Sequence, residues 1–222
     1  MQSERDAAVT KIFLKKNEDR RIRSGHPWVF SNEISRIEGT PDPGAACELF
    51  DVSGVLLGIG YHNPSSLIAV RLLTGQQESI NTVEFFEQRI AAALAHRRNL
   101  YPQLDSYRVV YGESDHLPGL VVDKYGDYLS IQLLSAGMDR RRGLILDALQ
   151  RLFSPKGIIA RNDVAVRSME GLSEGVELLA GEVPQKISMQ ENGLTFEVDL
   201  WQGQKTGGFL DQKENHRLLK HV

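Results

Sequence analysis

Short strand candidates joined by turn residues are the feature of this sequence that most limits its fold. Cys47 to Val52 and Val55 to Tyr61 are separated by Ser53-Gly54, a pair typical of hairpin turns. Leu67 to Leu73 is a third candidate, and Lys11 to Leu14 is a shorter one upstream. Strands this short and closely spaced predict a small β-barrel in the first third of the chain.

A basic segment follows the first strand candidate. Its cations are Lys15, Lys16, Arg20, Arg21 and Arg23, and they outnumber the two acidic residues of the segment. It leads into residues 25–34, where His26, Trp28 and Phe30 surround a proline. Cations attract phosphate and aromatic rings stack on bases, so this stretch is a candidate RNA-binding surface. Two alternatives remain open, because large aromatic residues usually pack in cores and a basic run can be a solvated face.

Residues 80–184 mix helices and strands. One helix is predicted to begin with Asn81 as its N-cap and Glu84 as the capping-box partner, and to stop at Pro102. A second is predicted from Met138 to Phe153. The predicted strands are Tyr107–Tyr111, Leu120–Tyr125, Tyr128–Leu134, Gly157–Arg161 and Val176–Leu179.

Three consecutive arginines, Arg140 to Arg142, fall in the first turn of the second predicted helix. Cations there face the positive end of the helix dipole, at a cost of roughly 0.3–1 kcal/mol each. Such an unfavourable choice indicates a partner outside the helix, either acidic side chains or phosphate. We favour pairing within the chain.

Two groups of reactive side chains receive structural interpretations. Glu113, Asp115 and His116 lie within four positions, but their loop is rich in turn formers and no second cluster supports it, so we predict no metal site. Cys47, the single cysteine, falls inside a strand pattern. It is predicted to be a small buried hydrophobic residue rather than a nucleophile.

The C-terminal region contains the strongest hairpin signal, Asn192-Gly193, with strand candidates on both sides. A polar loop, residues 203–211, follows the second strand and is called the signature loop below. Asp211 and Glu214 have the spacing of a helix N-cap and its capping-box partner. A strand, loop and helix start in this order suit an anionic or polyatomic ligand. The alternative, which the pattern alone favours, is a connector between two domains.

Resemblance to a known family favours the ligand interpretation. The run Gln-Lys-Thr-Gly-x-Phe-Leu-Asp-Gln-x-Glu-Asn-x-Arg, residues 204–217, resembles the sequence that opens the catalytic domain of S-adenosylmethionine (SAM)-dependent 23S rRNA 5-methylcytosine methyltransferases. Two further stretches, residues 20–34 and 112–125, resemble the PUA domain and the central domain of that family. Gly208 departs from the pattern, which has a bulky residue there.

The resemblance implies an α+β chain with three parts: a PUA-like RNA-binding barrel at 9–74, a central α+β domain at 80–184, and the truncated start of a class I methyltransferase domain at 185–222. It implies SAM as the cofactor of the full-length protein, with weak or no binding by this chain. The implied cofactor-binding residues are Gln204, Lys205, Thr206, Phe209 and Asp211. The implied RNA-binding residues are Lys15, Lys16, Arg20, Arg21, Arg23, His26 and Trp28.

No catalytic residue is expected within this chain, because Cys47 lies in the wrong domain to attack a base and no glycine-rich βαβ turn is present. The expected partner is 23S rRNA, and a homodimer is compatible with the sequence. The alternative function is a stand-alone, non-catalytic RNA-binding or assembly adaptor.

Composition limits how the protein can contact RNA and in which cellular compartment it is expected. The formal charge of −3 excludes a general polycation, so RNA contact needs a local basic patch. A single cysteine excludes an intramolecular disulfide framework, and we see no signal peptide or long apolar span, so a cytoplasmic protein is expected. The chain stops at Val222 inside an apolar helical pattern, and we expect a truncated sequence.

Overall fold

Residues 10–74 form a six-stranded sheet, called the N-terminal sheet, in a computed structural model that describes residues 10–103 and 105–219. Val222, where we expect the sequence to be truncated, lies outside these residues. The strands are β1 (Thr10–Leu14), β2 (Trp28–Val29), β3 (Ile34–Glu38), β4 (Ala45–Phe50), β5 (Leu56–His62) and β6 (Val70–Thr74). Their order is β2-β6-β5-β4-β1-β3, and helix α1 (Arg20–Arg23) follows β1.

The N-terminal sheet curls around its own small core. Val29 on one edge strand and Ile34 on the other pack into the same apolar cluster as Ile12 and Leu49. Cys47 is fully buried in this cluster, and burial raises the pKa of its thiol to about 12. This confirms that the cysteine is a small buried residue, since such a thiol stays protonated and inert.

The hairpin across Ser53-Gly54 is confirmed, whereas the third predicted strand begins at Val70 rather than Leu67. Strands β2 and β3 were not predicted. The first has only two residues, and the second is an edge strand with exposed side chains, so neither shows an apolar alternation.

Residues 107–181 form a second, five-stranded sheet, called the central sheet. Its strands are β7 (Tyr107–Tyr111), β8 (Leu120–Tyr125), β9 (Tyr128–Leu133), β10 (Gly157–Arg161) and β11 (Val176–Gly181), in the order β11-β10-β9-β8-β7. Neighbours are antiparallel except β9 and β10, which are parallel. The helices of this region are α2 (Val83–Leu100), α3 (Ala136–Arg140), α4 (Arg142–Phe153) and α5 (Val166–Met169).

Helix α2 covers one face of the central sheet together with α4. Phe86, Ile90 and Leu94 are buried at four-residue spacing, on the helix face that was predicted. The N-cap is Thr82 rather than Asn81, because the Thr82 hydroxyl accepts a hydrogen bond from the Phe85 amide at 3.2 Å.

The second predicted helix is divided in two at Arg141. The Arg141 side chain is buried and donates to the carbonyl oxygens of Gly44 and Gly137 at 2.9 Å and of Ile80 at 3.3 Å. Arg142 pairs with Asp139 and with a glutamate of β11. Pairing within the chain is therefore confirmed for these two arginines.

The N-terminal and central sheets meet at a closely packed junction. Tyr61 of β5 is fully buried, and its hydroxyl donates to the Pro118 carbonyl at 2.7 Å and lies 2.8 Å from the Ser135 hydroxyl. A Cβ on Gly137 would lie 2.1 Å from the Tyr61 ring, so only glycine fits this position. Ile59 and Tyr61 belong to the same apolar core as the central sheet, which fixes the two sheets relative to each other.

The predicted C-terminal hairpin is confirmed as β12 (Ile187–Glu191) and β13 (Leu194–Val198), and α6 (Lys213–Leu219) closes the described chain. The hairpin covers the face of the central sheet opposite α2 and α4. The apolar cluster on that face is Tyr125, Ile159, Val183, Ile187, Met189, Val198, Leu200 and Leu210. Among the helices of residues 10–103 and 105–219, none is long and apolar enough to cross a bilayer.

Candidate functional site

The signature loop is held to the central sheet by one buried threonine. Thr206 is 1% exposed, and its hydroxyl donates to Asp123 Oδ2 at 2.5 Å and lies 3.0 Å from the Tyr125 hydroxyl. Asp123 is fully buried on β8 and also accepts two hydrogen bonds from Arg108, at 2.8 and 2.9 Å. The loop is thus attached through a charged hydrogen-bond network rather than through apolar packing alone.

The backbone of the loop requires its glycines. A Cβ on Gly207, where φ is +141°, would lie 2.4 Å from a methyl group of Leu200. Gly208 donates its amide to the Tyr125 hydroxyl at 3.0 Å, and a Cβ there would make ordinary contacts at 3.8 Å and beyond. The departure at Gly208 therefore leaves the tyrosine anchor intact.

The outer face of the loop is exposed and carries one positive and one negative side chain. Lys205 Nζ donates to the Asp211 carboxylate at 3.0 and 3.1 Å and lies 4.5 Å from the centre of the Phe209 ring. The hydrogen bond from Lys205 holds the pKa of Asp211 below its ordinary value. Gln204 is also exposed. Of the five predicted cofactor residues, four are thus on the surface and Thr206 is inside.

Helix α6 begins at Lys213, so the predicted N-cap at Asp211 is wrong in this structure. The Asp211 carboxylate is bonded to Lys205 instead. Lys213 points back over the ring of Tyr101, at 3.4 Å from its centre. A cavity of about 450 Å³ lies beside the loop, lined by Leu210, Asp211 and residues of α2 and β7.

The predicted RNA-binding cations differ in how they are used. Arg21 pairs with Glu33, and Arg23 pairs with both Asp19 and Asp51. Lys15 donates to the Asn32 carbonyl at 2.7 Å. Lys16 and Arg20 are exposed, and the ion pairs found within residues 10–103 and 105–219 do not include them.

His26 and Trp28 lie at the junction of the two sheets rather than in a core. Their rings pack edge to face at 5.6 Å, and the Trp28 amide donates to His26 Nδ1 at 3.1 Å. The Trp28 indole donates to Glu113 Oε1 at 2.9 Å. Glu113 and Asp115, which the sequence analysis discussed together with His116, thus both have partners within the protein. Asp115 forms a bidentate pair with Arg97.

Sequence reasoning missed Arg108, Asp123 and Tyr125, the residues that hold the loop. Asp123 and Tyr125 are two positions apart on β8, so their side chains share the sheet face on which the loop lies. A signal was present: a carboxylate within the apolar run Leu120 to Tyr125 needs a buried partner.

Comparison with known proteins first gives the class of the N-terminal sheet. Residues 12–75 match the family described as a PUA-like domain. This agrees with the predicted barrel.

Curated relatives match nearly the whole chain. The chain is 42% identical over 215 residues to ribosomal RNA large subunit methyltransferase I of Vibrio cholerae, and 39% identical over 219 residues to the protein of that name from Photobacterium profundum. These alignments cover 95% and 96% of this chain but 54% and 55% of the relatives. The chain therefore spans about half the length of the curated relatives it matches.

Solved structures show the same fold. A candidate SAM-dependent methyltransferase from Streptococcus mutans matches with a TM-score of 0.76, at 20% identity, over 96% of this chain and 54% of that one. A candidate methyltransferase solved in complex with SAH matches with a TM-score of 0.79, at 20% identity, over 96% of this chain and 53% of that one. At this identity the likeness concerns the fold alone.

Proposed function

We propose that this chain is the RNA-positioning part of a SAM-dependent large-subunit rRNA methyltransferase that modifies carbon 5 of cytosine. Its parts would be a PUA-like RNA-binding domain at 9–74, a central domain at 80–184 and the first elements of the methyltransferase domain at 185–222. The observation that carries this proposal is the signature loop, which is fixed from beneath through Thr206 and presents Lys205, Phe209 and Asp211 outward. The similarity to rRNA methyltransferases over 95% of the chain supports it.

The outer face of the loop suits the cofactor chemically. SAM would supply the methyl group, and its amino-acid portion carries an ammonium and a carboxylate. Lys205 and Asp211 offer the opposite charges, while the Phe209 ring, 43% exposed, offers a flat apolar surface. We assign contact roles to Gln204, Lys205, Phe209 and Asp211, and a positioning role to Thr206.

Calorimetric titration with SAM tests the cofactor assignment. The titration is run on this chain and on a longer polypeptide that includes the downstream reading frame. Binding only by the longer polypeptide is expected, because the loop supplies one wall of a site. Absence of binding by both, or a reading frame that ends here, would favour the non-catalytic adaptor and make the signature loop a connector.

Variants of the basic surface test the RNA assignment separately from the cofactor assignment. We assign RNA contact to Lys15, Lys16, Arg20, Arg21, Arg23, His26 and Trp28, in a protein of the cytoplasm. The double variant Lys16→Ala/Arg20→Ala is preferred, because changes at Arg21 or Arg23 would also break an ion pair with Glu33 or Asp51.

The expected result is weaker binding to single-stranded RNA of any sequence, with a salt slope reduced by roughly 0.7 for each phosphate that the variant no longer neutralises. The control is Lys186→Ala, which removes one cation next to the C-terminal hairpin, where Lys186 pairs with Glu197. Equal affinity of the double variant and the wild type at every salt concentration would contradict the assignment.

A further inference from the structure

Two cavities adjoin each other at the junction of the N-terminal and central sheets. One, of about 630 Å³, is polar and includes His26, Arg89 and His116 in its lining. The other, of about 360 Å³, is mostly apolar and includes Trp28 and Tyr111. The turn that begins at Gly112 separates them, since its two ends line different cavities.

Both aromatic side chains of the apolar cavity already have contacts within the protein. Trp28 is held by Glu113 and by the edge of the His26 ring. The Tyr111 amide donates to Asp115 at 2.6 Å, and its ring packs 5.0 Å from the Arg108 guanidinium. Tyr111 is nevertheless 55% exposed. A ring that already packs on a neighbouring side chain and is still exposed loses less conformational entropy on stacking than a ring without contacts.

The polar cavity next to it complements an anion. Its lining includes the guanidinium of Arg89 and the imidazoles of His26 and His116. The one carboxylate in its lining, Glu78, lies 3.5 Å from Arg89. Cationic and neutral polar groups beside an apolar, aromatic cavity match a chain with a charged backbone and flat side groups.

We propose that the apolar cavity takes one unstacked base of single-stranded RNA, with Tyr111 as a stacking residue and Trp28 beside it, while the adjoining sugar–phosphate lies in the polar cavity. The inference rests on the proposed function and adds a base-binding subsite to it. A polypeptide fits less well, because its backbone carries no charge for the Arg89 guanidinium to bind.

The subsite is physically connected to the signature loop. Tyr111 packs on Arg108, Arg108 pairs with Asp123, and Asp123 accepts a hydrogen bond from the Thr206 hydroxyl. A base stacked on Tyr111 would therefore lie on the same network that positions the loop. This arrangement would place the RNA strand beside the proposed cofactor face.

Fluorescence anisotropy with a labelled RNA of twelve uridines tests the proposal. Tyr111→Ala should weaken binding by about 5- to 150-fold, the range for loss of one base–aromatic stack. Tyr111→Phe should retain affinity within about twofold, because the ring remains. The salt slope should be unchanged in both variants, since neither removes a charge. Leu194→Ala, at an exposed apolar site on the C-terminal hairpin, is the matched control.

Tryptophan fluorescence gives a second readout that does not depend on affinity. The chain has two tryptophans, so Trp201→Phe leaves Trp28 as the only one. Uridine RNA should quench Trp28, and inorganic polyphosphate, which has charge but no bases, should not.

Three results would overturn the subsite. The first is Tyr111→Ala with wild-type affinity while Lys16→Ala/Arg20→Ala binds weakly, which leaves the proposed function standing. The second is equal quenching by polyphosphate. The third is a shift in sedimentation of Tyr111→Ala without a change in RNA affinity, which would identify the cavity as an interface between copies. Absence of RNA binding by the wild type would overturn the proposed function as well.

Discussion

Two buried carboxylates join the central sheet to its neighbours, and they do so differently. Glu170, 3% exposed, follows α5 and accepts hydrogen bonds from Asn63, Ser66 and Arg71 of the N-terminal region. Asp123, on β8, accepts from Arg108 and from Thr206 of the signature loop. Both carboxylates pair with arginine, but Arg71 is 9% exposed at its side chain and Arg108 is 33% exposed.

This difference shows which connection is rigid and which can adjust. Water cannot replace Glu170 as the partner of Arg71, so loss of the carboxylate leaves a buried charge. Arg108 borders solvent and can be hydrated if Asp123 is altered. The junction of the two sheets is therefore a fixed frame, while the signature loop is held by a network that a ligand or a neighbouring domain could reset.

The largest expected effect is that of Glu170→Gln. Removal of one partner of a buried ion pair costs about 3–5 kcal/mol. Urea unfolding followed by circular dichroism should show a loss of stability of this size. Glu174→Gln, at an exposed residue four positions later, should change stability by less than about 0.5 kcal/mol. Equal stability of both variants would mean that Glu170 does not hold the junction.

The same carboxylate predicts an acid sensitivity. Burial raises the pKa of Glu170, but hydrogen bonds from Ser66 and Asn63 and the charge of Arg71 outweigh burial and hold the pKa below its ordinary 4.5. The folded protein thus binds this proton less tightly than the unfolded chain. The stabilisation is fully present above pH 4.5 and is lost as the pH falls through the lower, folded-state pKa. Stability curves of wild type and Glu170→Gln should converge in acid.

A smaller effect is expected for Asp123→Asn. The variant loses the charge paired with Arg108 and weakens the bond from Thr206, at a cost on the order of 2 kcal/mol. Hydrogen exchange should accelerate at Gly207 and Gly208 while the amides of β5 at the junction keep their protection. Faster exchange at both places would show that the loop and the junction unfold together and are not independent connections.

Thr206→Val tests the contribution of the Thr206 hydroxyl to stability. The two side chains have nearly the same shape, so the change removes only the hydrogen bond to Asp123 and the contact with Tyr125. A loss of about 1–2 kcal/mol is expected, and Thr206→Ser, which keeps the hydroxyl, should lose less. If valine and serine were equally harmful, the methyl group rather than the hydroxyl would be what anchors the loop.

Local signals explain which parts of the fold were predictable. The Asn192-Gly193 hairpin and the buried face of α2 depend on turn chemistry and on the periodicity of neighbouring residues, and both were predicted correctly. Helix α4 was joined to α3 because nothing local marks Arg141 as a break. Its side chain is captured by carbonyl oxygens that include Gly44, 97 residues away.

The candidate site was predictable only in part for the same reason. The signature loop was found from its sequence, but the buried status of Thr206 depends on Asp123, 83 residues earlier. The cations at Arg21 and Arg23 look available in the sequence, and Glu33 and Asp51 become their partners only when the N-terminal sheet curls. Pairings over such distances are products of tertiary structure, which pattern and propensity do not record.

Asp211→Asn gives the smallest expected change in stability and the sharpest test of the outer face of the loop. Its pair with Lys205 is exposed, so the loss should be below about 1 kcal/mol and should shrink further at high salt. If this face binds SAM, the same variant should lower SAM affinity in the longer polypeptide while unfolding is nearly unchanged. Thr206→Val should show the reverse balance, with a larger loss of stability. A loop that served only as a connector would show no such division between its inner and outer residues.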